Sequence, residues 1–173
     1  MNTKSNNQPL LDELLSGCKK ANRKSQKLLY EQYYGFAMAI CLRYSDHYQQ
    51  AVEIVNDGFL KVFTKLDKYD TNKSFKGWVR RIMINSAIDH FRKEKKYAAT
   101  DSIDNHETAS FEPTAVQNLS YDEVIQQIQK LSPSYRAVFN LYVIDGYKHH
   151  EISAVSYTHL RAHETMTGIS YSV

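Results

Sequence analysis

Apolar residues recur at intervals of three and four along most of the chain, and that period predicts helices. Leu10, Leu11, Leu14, Leu15 and Cys18 form one such face behind Pro9, a residue suited to a first helical turn. Leu28, Leu29, Gln32, Tyr33, Phe36, Ala37, Ile40, Cys41 and Tyr44 form the next. A third helix is expected from Asp46 as N-cap, presenting Ala51, Ile54, Val55, Gly58, Phe59, Val62, Phe63 and Leu66. The stretch 67–74, DKYDTNKS, reads as a turn. Ser74 then caps a fourth helix carrying Phe75, Trp78, Val79, Ile82, Met83, Ile88 and Phe91. Residues 98–119 hold four acids, no Lys or Arg and no helical period, so a linker is expected there. Helical signals resume with the capping-box spacing of Ser120 and Glu123, then Val124, Ile125, Ile128 and Leu131. Ser132-Pro133 opens a further helix, Asp145-Gly146 ends it, and residues 147–152 begin one more. The expected class is all-α: an N-terminal bundle over 9–97, then a smaller helical unit from 120.

Composition agrees with this picture. The 173 residues include only 6 Gly and 3 Pro, little material for hairpins. The longest apolar run, Phe36 to Leu42, is far short of a membrane span. The first fifteen residues show no secretory pattern. Cys18 and Cys41 lack metal spacing and are expected as reduced, structural thiols in a cytoplasm.

The net charge of +3 conceals an asymmetry. Residues 1–96 carry 18 Lys/Arg against 10 Asp/Glu, and residues 97–173 carry 4 against 9. A basic half points to a polyanionic partner, provided the cations share a face. In the fourth helix they do. Eight basic residues fall between Lys73 and Lys96, and Arg81, Asn85, Asp89, Arg92 and Lys96 line up as one polar stripe. Cations there can neutralise phosphates, while Asn can donate and accept at a base edge. Tyr69 and Phe75, at the start of the helix, are candidates to stack on unpaired bases. By charge alone, a solvated basic face on a core-packed helix explains the pattern equally well.

Residues 29–96 resemble the first domain of the extracytoplasmic-function (ECF) RNA polymerase sigma factors. The segment AVEIVNDGFLKVF is similar to their polymerase-binding helix. Phe75, Trp78, Val79, Ile82, Asn85, Asp89 and Arg92 match the pattern F-x-x-W-[LV]-x-x-I-x-x-N-x-x-x-D-x-x-R of their promoter-melting helix. LSPSYRAVFNLYVIDGYKHHEIS, residues 131–153, resembles the start of their second domain. The resemblance implies a non-enzymatic protein that binds core RNA polymerase and promoter DNA, with an anti-sigma protein as a common partner. It implies Glu53, Asn56 and Asp57 for polymerase docking; an acidic pair suits a basic surface. For DNA it implies Arg80, Arg81, Asn85 and Arg92, with Lys76, Lys93 and Lys96 as further cations. Tyr69 and Asn72 are the candidates in the loop that captures a flipped base. Trp78 reads as core. The acidic linker suits a path through a basic nucleic-acid channel, though a plain tether has the same composition.

The chain departs from the family after Ala154. A turn and a recognition helix are expected there. Instead, residues 155–173 include VSYTHLRAHET, which resembles the translated end of a transposase-type sequencing adapter. The expectation is that the natural sequence continues differently past Ala154, that the second domain is incomplete, and that it folds poorly. His159 and His163 lie in that tail and lack further ligands, and His149 and His150 point to different faces, so no metal or cofactor is expected. No phosphate loop or nucleophile elbow is present. Two rivals stand: a helical DNA-binding regulator acting alone, and a polymerase-interacting module without a DNA role.

Overall fold

The computed structural model describes residues 8–98 and 121–156. Among the described residues the elements are all helical: α1 (Gln8–Lys19), α2 (Arg23–Tyr44), α3 (Tyr48–Thr64), a 3-10 turn (Leu66–Lys68), α4 (Phe75–Ala98), α5 (Tyr121–Gln129), α6 (Pro133–Phe139), a π-turn (Asn140–Ile144) and α7 (His149–Ser156). Most of the expected linker, Ser120, and residues 157–173 lie outside the described residues.

Local signals set the helix ends. α1 closes in a Schellman turn, with Ala21 N–H donating to Cys18 O and Asn22 N–H to Gly17 O. Ala21 takes φ +56° there, a left-handed position that usually falls to glycine. Asn22 then caps α2, its Oδ1 accepting from the Lys24 and Ser25 amides. α3 begins one residue later than the sequence predicts. Its N-cap is His47, whose Nδ1 accepts from Gln50 N–H at 3.2 Å, not Asp46. The Asp46 carboxylate is turned away toward Arg136, with 2.6 Å between Oδ1 and Nη1. Ser74 Oγ accepts from the Gly77 amide at the start of α4, as expected of a cap.

α1–α4 enclose the core. Leu29, Ile54, Val55, Val62, Val79, Met83 and Ile84 are all essentially inaccessible. Each such side chain contributes about 1.5–3 kcal/mol of burial. The apolar face of α2 is narrower than its sequence implies, since Leu28 and Gln32 are exposed; Leu10 of α1 is exposed too. α3 and α4 cross closely at Gly58, under Met83.

α5 and α6 pack on α2, and the π-turn is tied to its C-terminal end through Asn140. A helix end leaves carbonyls without partners. Here the second unit supplies donors: Gln129 Nε2 to Leu42 O at 3.2 Å and Asn140 Nδ2 to Arg43 O at 2.7 Å. Arg136, 3% exposed, donates to Gln129 O and Leu131 O at 2.8 Å and so fixes the α5–α6 turn. Ser132 stands at the N-cap of α6 with Pro133 at N1, but its hydroxyl makes no capping bond. The helix after Pro133 does not run straight to Gly146. It widens at the π-turn, where Asp145 N–H bonds Asn140 O, and Gly146 follows at φ +70°. Along the outer side, Tyr135, Val138, Phe139, Tyr142 and Val143 leave substantial apolar surface exposed.

Candidate nucleic-acid interface

α4 turns its apolar residues into the bundle and its stripe outward. Arg81, Asn85, Arg92 and Lys93 are exposed, and Asp89 is half-buried. Lys96 lies within α4, but its side chain is outside the described residues. Beside the stripe is a cleft of about 310 Å³ between α3 and α4, lined by Lys61, Lys65, Ile82, Asn85, Ile88, Asp89 and Arg92. Its floor is apolar and its rim polar. Lys61 Nζ meets Asp89 Oδ2 at 2.9 Å, and Asp89 Oδ1 lies 3.8 Å from Arg92 Nη1. Asp89 therefore holds two cations at the mouth without neutralising both. Lys61 and Lys65 escaped the sequence reading. Their signal was an i, i+4 pair at the C-terminal end of α3, Lys65 being its C-cap, but only the fold shows that this end meets Asn85 and Arg92.

The loop before α4 needs a correction. Tyr69, expected as a base-stacking side chain, is only 8% exposed. Its ring packs on Phe75 and Trp78, with centroids 5.2 and 5.4 Å away, and its hydroxyl donates to Lys73 O. Phe75, the other stacking candidate, is 3% exposed and also meets Tyr33 edge-on. Burying these rings closes the bundle where α2, the loop and α4 meet, so they shape the loop from within. Trp78 is half-buried in this cluster, in keeping with its core reading. Asn72 remains exposed at the loop tip, donating through Nδ2 to Asp70 Oδ1. The Asn72 backbone N–H bond to Asp70 lowers the Asp70 pKa from its ordinary 3.8.

Lys76 and Arg80 are not simply solvated. The Lys76 ammonium sits 4.7 Å from the Phe36 ring centroid. Arg80 lies off the stripe and faces the second unit. Its Nε and Nη2 donate to Asp145 Oδ1 at 3.2 and 2.5 Å, and Nη2 also reaches Ile144 O. The Asp145 side chain is fully buried. Arg43 Nη2 reaches it at 3.2 Å, and the Tyr44 hydroxyl donates to its Oδ2 at 2.5 Å. Burial, then the Asp145 bond, raises the Tyr44 pKa well above its ordinary value of 10.0, so this phenol acts as a donor.

The three residues expected at a protein partner sit on α3. Glu53, Asn56 and Asp57 are exposed. Asn56 Oδ1 accepts from the Tyr30 hydroxyl of α2 at 3.0 Å, while Glu53 Oε2 stands 3.8 Å from His90 Nε2. Leu60, 63% exposed, continues the face one turn beyond Asn56.

Part of the chain matches a known domain. Residues 29–97 match sigma-70 region 2. The chain is 30% identical over 118 residues to the ECF RNA polymerase sigma factor SigW of Bacillus subtilis (strain 168), covering 61% of this chain and 63% of SigW. It is 24% identical over 154 residues to the ECF RNA polymerase sigma-E factor of Escherichia coli (strain K12), covering 82% and 80%. The chain is thus similar to the ECF sigma factors, through a segment that matches sigma-70 region 2. The match to region 2 begins within α2 at Leu29 and ends in α4, so the cleft, the stripe and the α3 acidic face all lie inside the matched residues. The match spans less than two thirds of SigW. Among solved structures the chain is similar to CnrH in its complex with the cytosolic domain of CnrY, at 22% identity and a TM-score of 0.44 over 88% of this chain and 86% of that one. Among the described residues no group of His, Cys, Asp and Glu is arranged to hold a metal ion, and no helix is long and apolar enough to cross a membrane.

Proposed function

We propose that this protein is a sigma factor, which binds core RNA polymerase through the α2–α3 face and engages single-stranded promoter DNA along α4 while the duplex is opened. The observation that carries the reading is the cleft between α3 and α4. It joins Lys61, Lys65 and Arg92, which suit phosphates, to Asn85, which suits a base edge, over an apolar floor of Ile82 and Ile88. Arg81 and Lys93 extend the positive track along α4, and Asn72 stands at its loop end. Glu53, Asn56 and Asp57 contribute the polymerase contact. On this reading the second unit, from Tyr121, is the beginning of a second DNA-recognition domain, and residues 98–119 tether the two. The protein then works in the cytoplasm and performs no covalent chemistry itself.

The test uses the full chain with core RNA polymerase and a fluorescein-labelled, mixed-sequence 20-nucleotide single strand. Arg81→Ala, Asn85→Ala and Arg92→Ala together are expected to weaken DNA binding at least tenfold while leaving polymerase co-purification intact. Each lost phosphate contact should reduce the slope of log K against log salt by about 0.7. Unchanged DNA affinity in the triple variant would remove α4 from the interface.

A further inference from the structure

Arg43, Tyr44 and Arg80 converge on one carboxylate from two helices of the bundle, yet that carboxylate belongs to the second unit. Arg43 and Tyr44 end α2, and Arg80 lies in the first turns of α4. Asp145 is delivered to them by the π-turn, whose extra residue per turn shifts the phase of everything after Asn140. Buried and met by three donor side chains, Asp145 has the form of a bound anion. The fit is incomplete, however. Arg43 Nε is buried and has no hydrogen-bond acceptor. A planar carboxylate offers two oxygens, and here both are shared among Arg43, Tyr44 and Arg80. A tetrahedral phosphodiester presents its oxygens in more directions and carries the same charge. Arg80 also adjoins Arg81, which begins the α4 stripe, so the site is continuous with the nucleic-acid track.

We propose that Arg43, Tyr44 and Arg80 form a phosphate-binding site for the DNA backbone, and that Asp145 occupies it in competition with DNA. The site thus extends the α4 interface around the bundle. It also makes that interface conditional, because a phosphate enters only when the second unit lifts Asp145 away. This rests on the nucleic-acid reading of α4. If the docked form is populated about ten to one, releasing Asp145 raises apparent DNA affinity about tenfold, since apparent affinity scales with the competent fraction.

The experiment measures full-length protein in two ways. One is anisotropy of the same fluorescein-labelled 20-nucleotide single strand. The other is energy transfer between dyes on Lys27→Cys and Ser134→Cys, both exposed positions, with Cys18 and Cys41 buried and left unlabelled. Asp145→Asn should lower energy transfer and raise DNA affinity about tenfold. Adding Arg43→Ala to Asp145→Asn should reverse part of that gain and reduce the salt slope by about 0.7, the signature of one lost phosphate on a single strand. If Asp145→Asn undocks the unit without changing affinity, while the α4 triple variant still weakens binding, the competition is refuted and the α4 interface stands. If the triple variant has no effect either, both readings fail. Should Asp145→Asn lose its helical circular dichroism, Tyr44→Phe replaces it. That variant removes one bond to Asp145, and unchanged energy transfer together with unchanged DNA affinity would overturn the proposal.

Discussion

The crossing of α3 and α4 allows two opposing effects to be separated at one residue. Alanine is favoured over glycine inside a helix by about 1 kcal/mol. Gly35 in α2 shows that gain alone, because a Cβ built there has nothing within 4 Å. Gly35→Ala should therefore stabilise the bundle by about 0.5–1 kcal/mol and raise Tm by roughly 2–4 °C per kcal/mol. At Gly58 the same gain meets an obstacle. A built Cβ overlaps Met83 Sδ and stands 2.9 Å from Met83 Cε. Those atoms end a flexible side chain, but Met83 is fully buried and has no solvent to swing into. Overpacking of this kind costs about 1–3 kcal/mol, and the enclosure of Met83 puts Gly58→Ala in the upper part of that range. The net expectation is a loss of about 1–2 kcal/mol and a fall in Tm of roughly 2–8 °C. Urea titration with circular dichroism gives the free energies. Met83→Ala alone costs about 2–5 kcal/mol, but Gly58→Ala on top of it should then be neutral or stabilising, a coupling of about 2 kcal/mol. A Gly58→Ala protein that melts as high as Gly35→Ala would refute the close approach.

Three further outcomes are expected. Ala21→Gly removes a left-handed penalty at the end of α1 and should stabilise the protein by about 0.5–1 kcal/mol; a lower Tm would contradict the Schellman geometry. Burial pushes the Cys41 thiol up to about 12 from an ordinary 9.0, opposed weakly by Arg43, and burial raises Cys18 as well. Because the folded pKa is the higher one, their contribution to stability is complete below pH 9.0 and declines as pH rises from there toward about 12. A disulfide-forming thiol reagent at pH 8 should accordingly find no reactive cysteine in native protein and two after denaturation. Glu53→Lys with Asp57→Lys should reduce co-purification with core RNA polymerase at least fivefold without lowering Tm, and undiminished recovery would clear this face of a docking role.

How far the sequence could be read depends on the range of the interaction. The bundle helices were legible because three-and-four spacing is local, and Asn85, Asp89 and Arg92 fell on one face for the same reason. Boundaries shifted where a distant residue intervened: Asp46 was the better local cap for α3, but Arg136 holds it, and His47 caps instead. Tyr69 was misread because an aromatic residue between polar ones in a loop looks exposed. Only the fold reveals Phe75 and Trp78 against its ring and Lys73 O within reach of its hydroxyl. Arg80 lies 65 residues from Asp145 and Arg43 lies 102, so no periodicity connects them. Lys61 and Lys65 needed the α3–α4 crossing before they could be set beside Asn85.

The π-turn makes chain length at this point a matter of angle. A residue in an α-helix turns through about 100°, and the widened turn at Asn140–Ile144 contributes about one such step. Returning that turn to regular helix at unchanged length would therefore carry Asp145 about a quarter-turn around the axis, out of reach of Arg80. Deleting one exposed residue at the same time, such as Val143, would cancel that step and leave Asp145 near its present angle. At this point the number of residues in the turn, rather than their chemistry, decides whether the two halves hold each other.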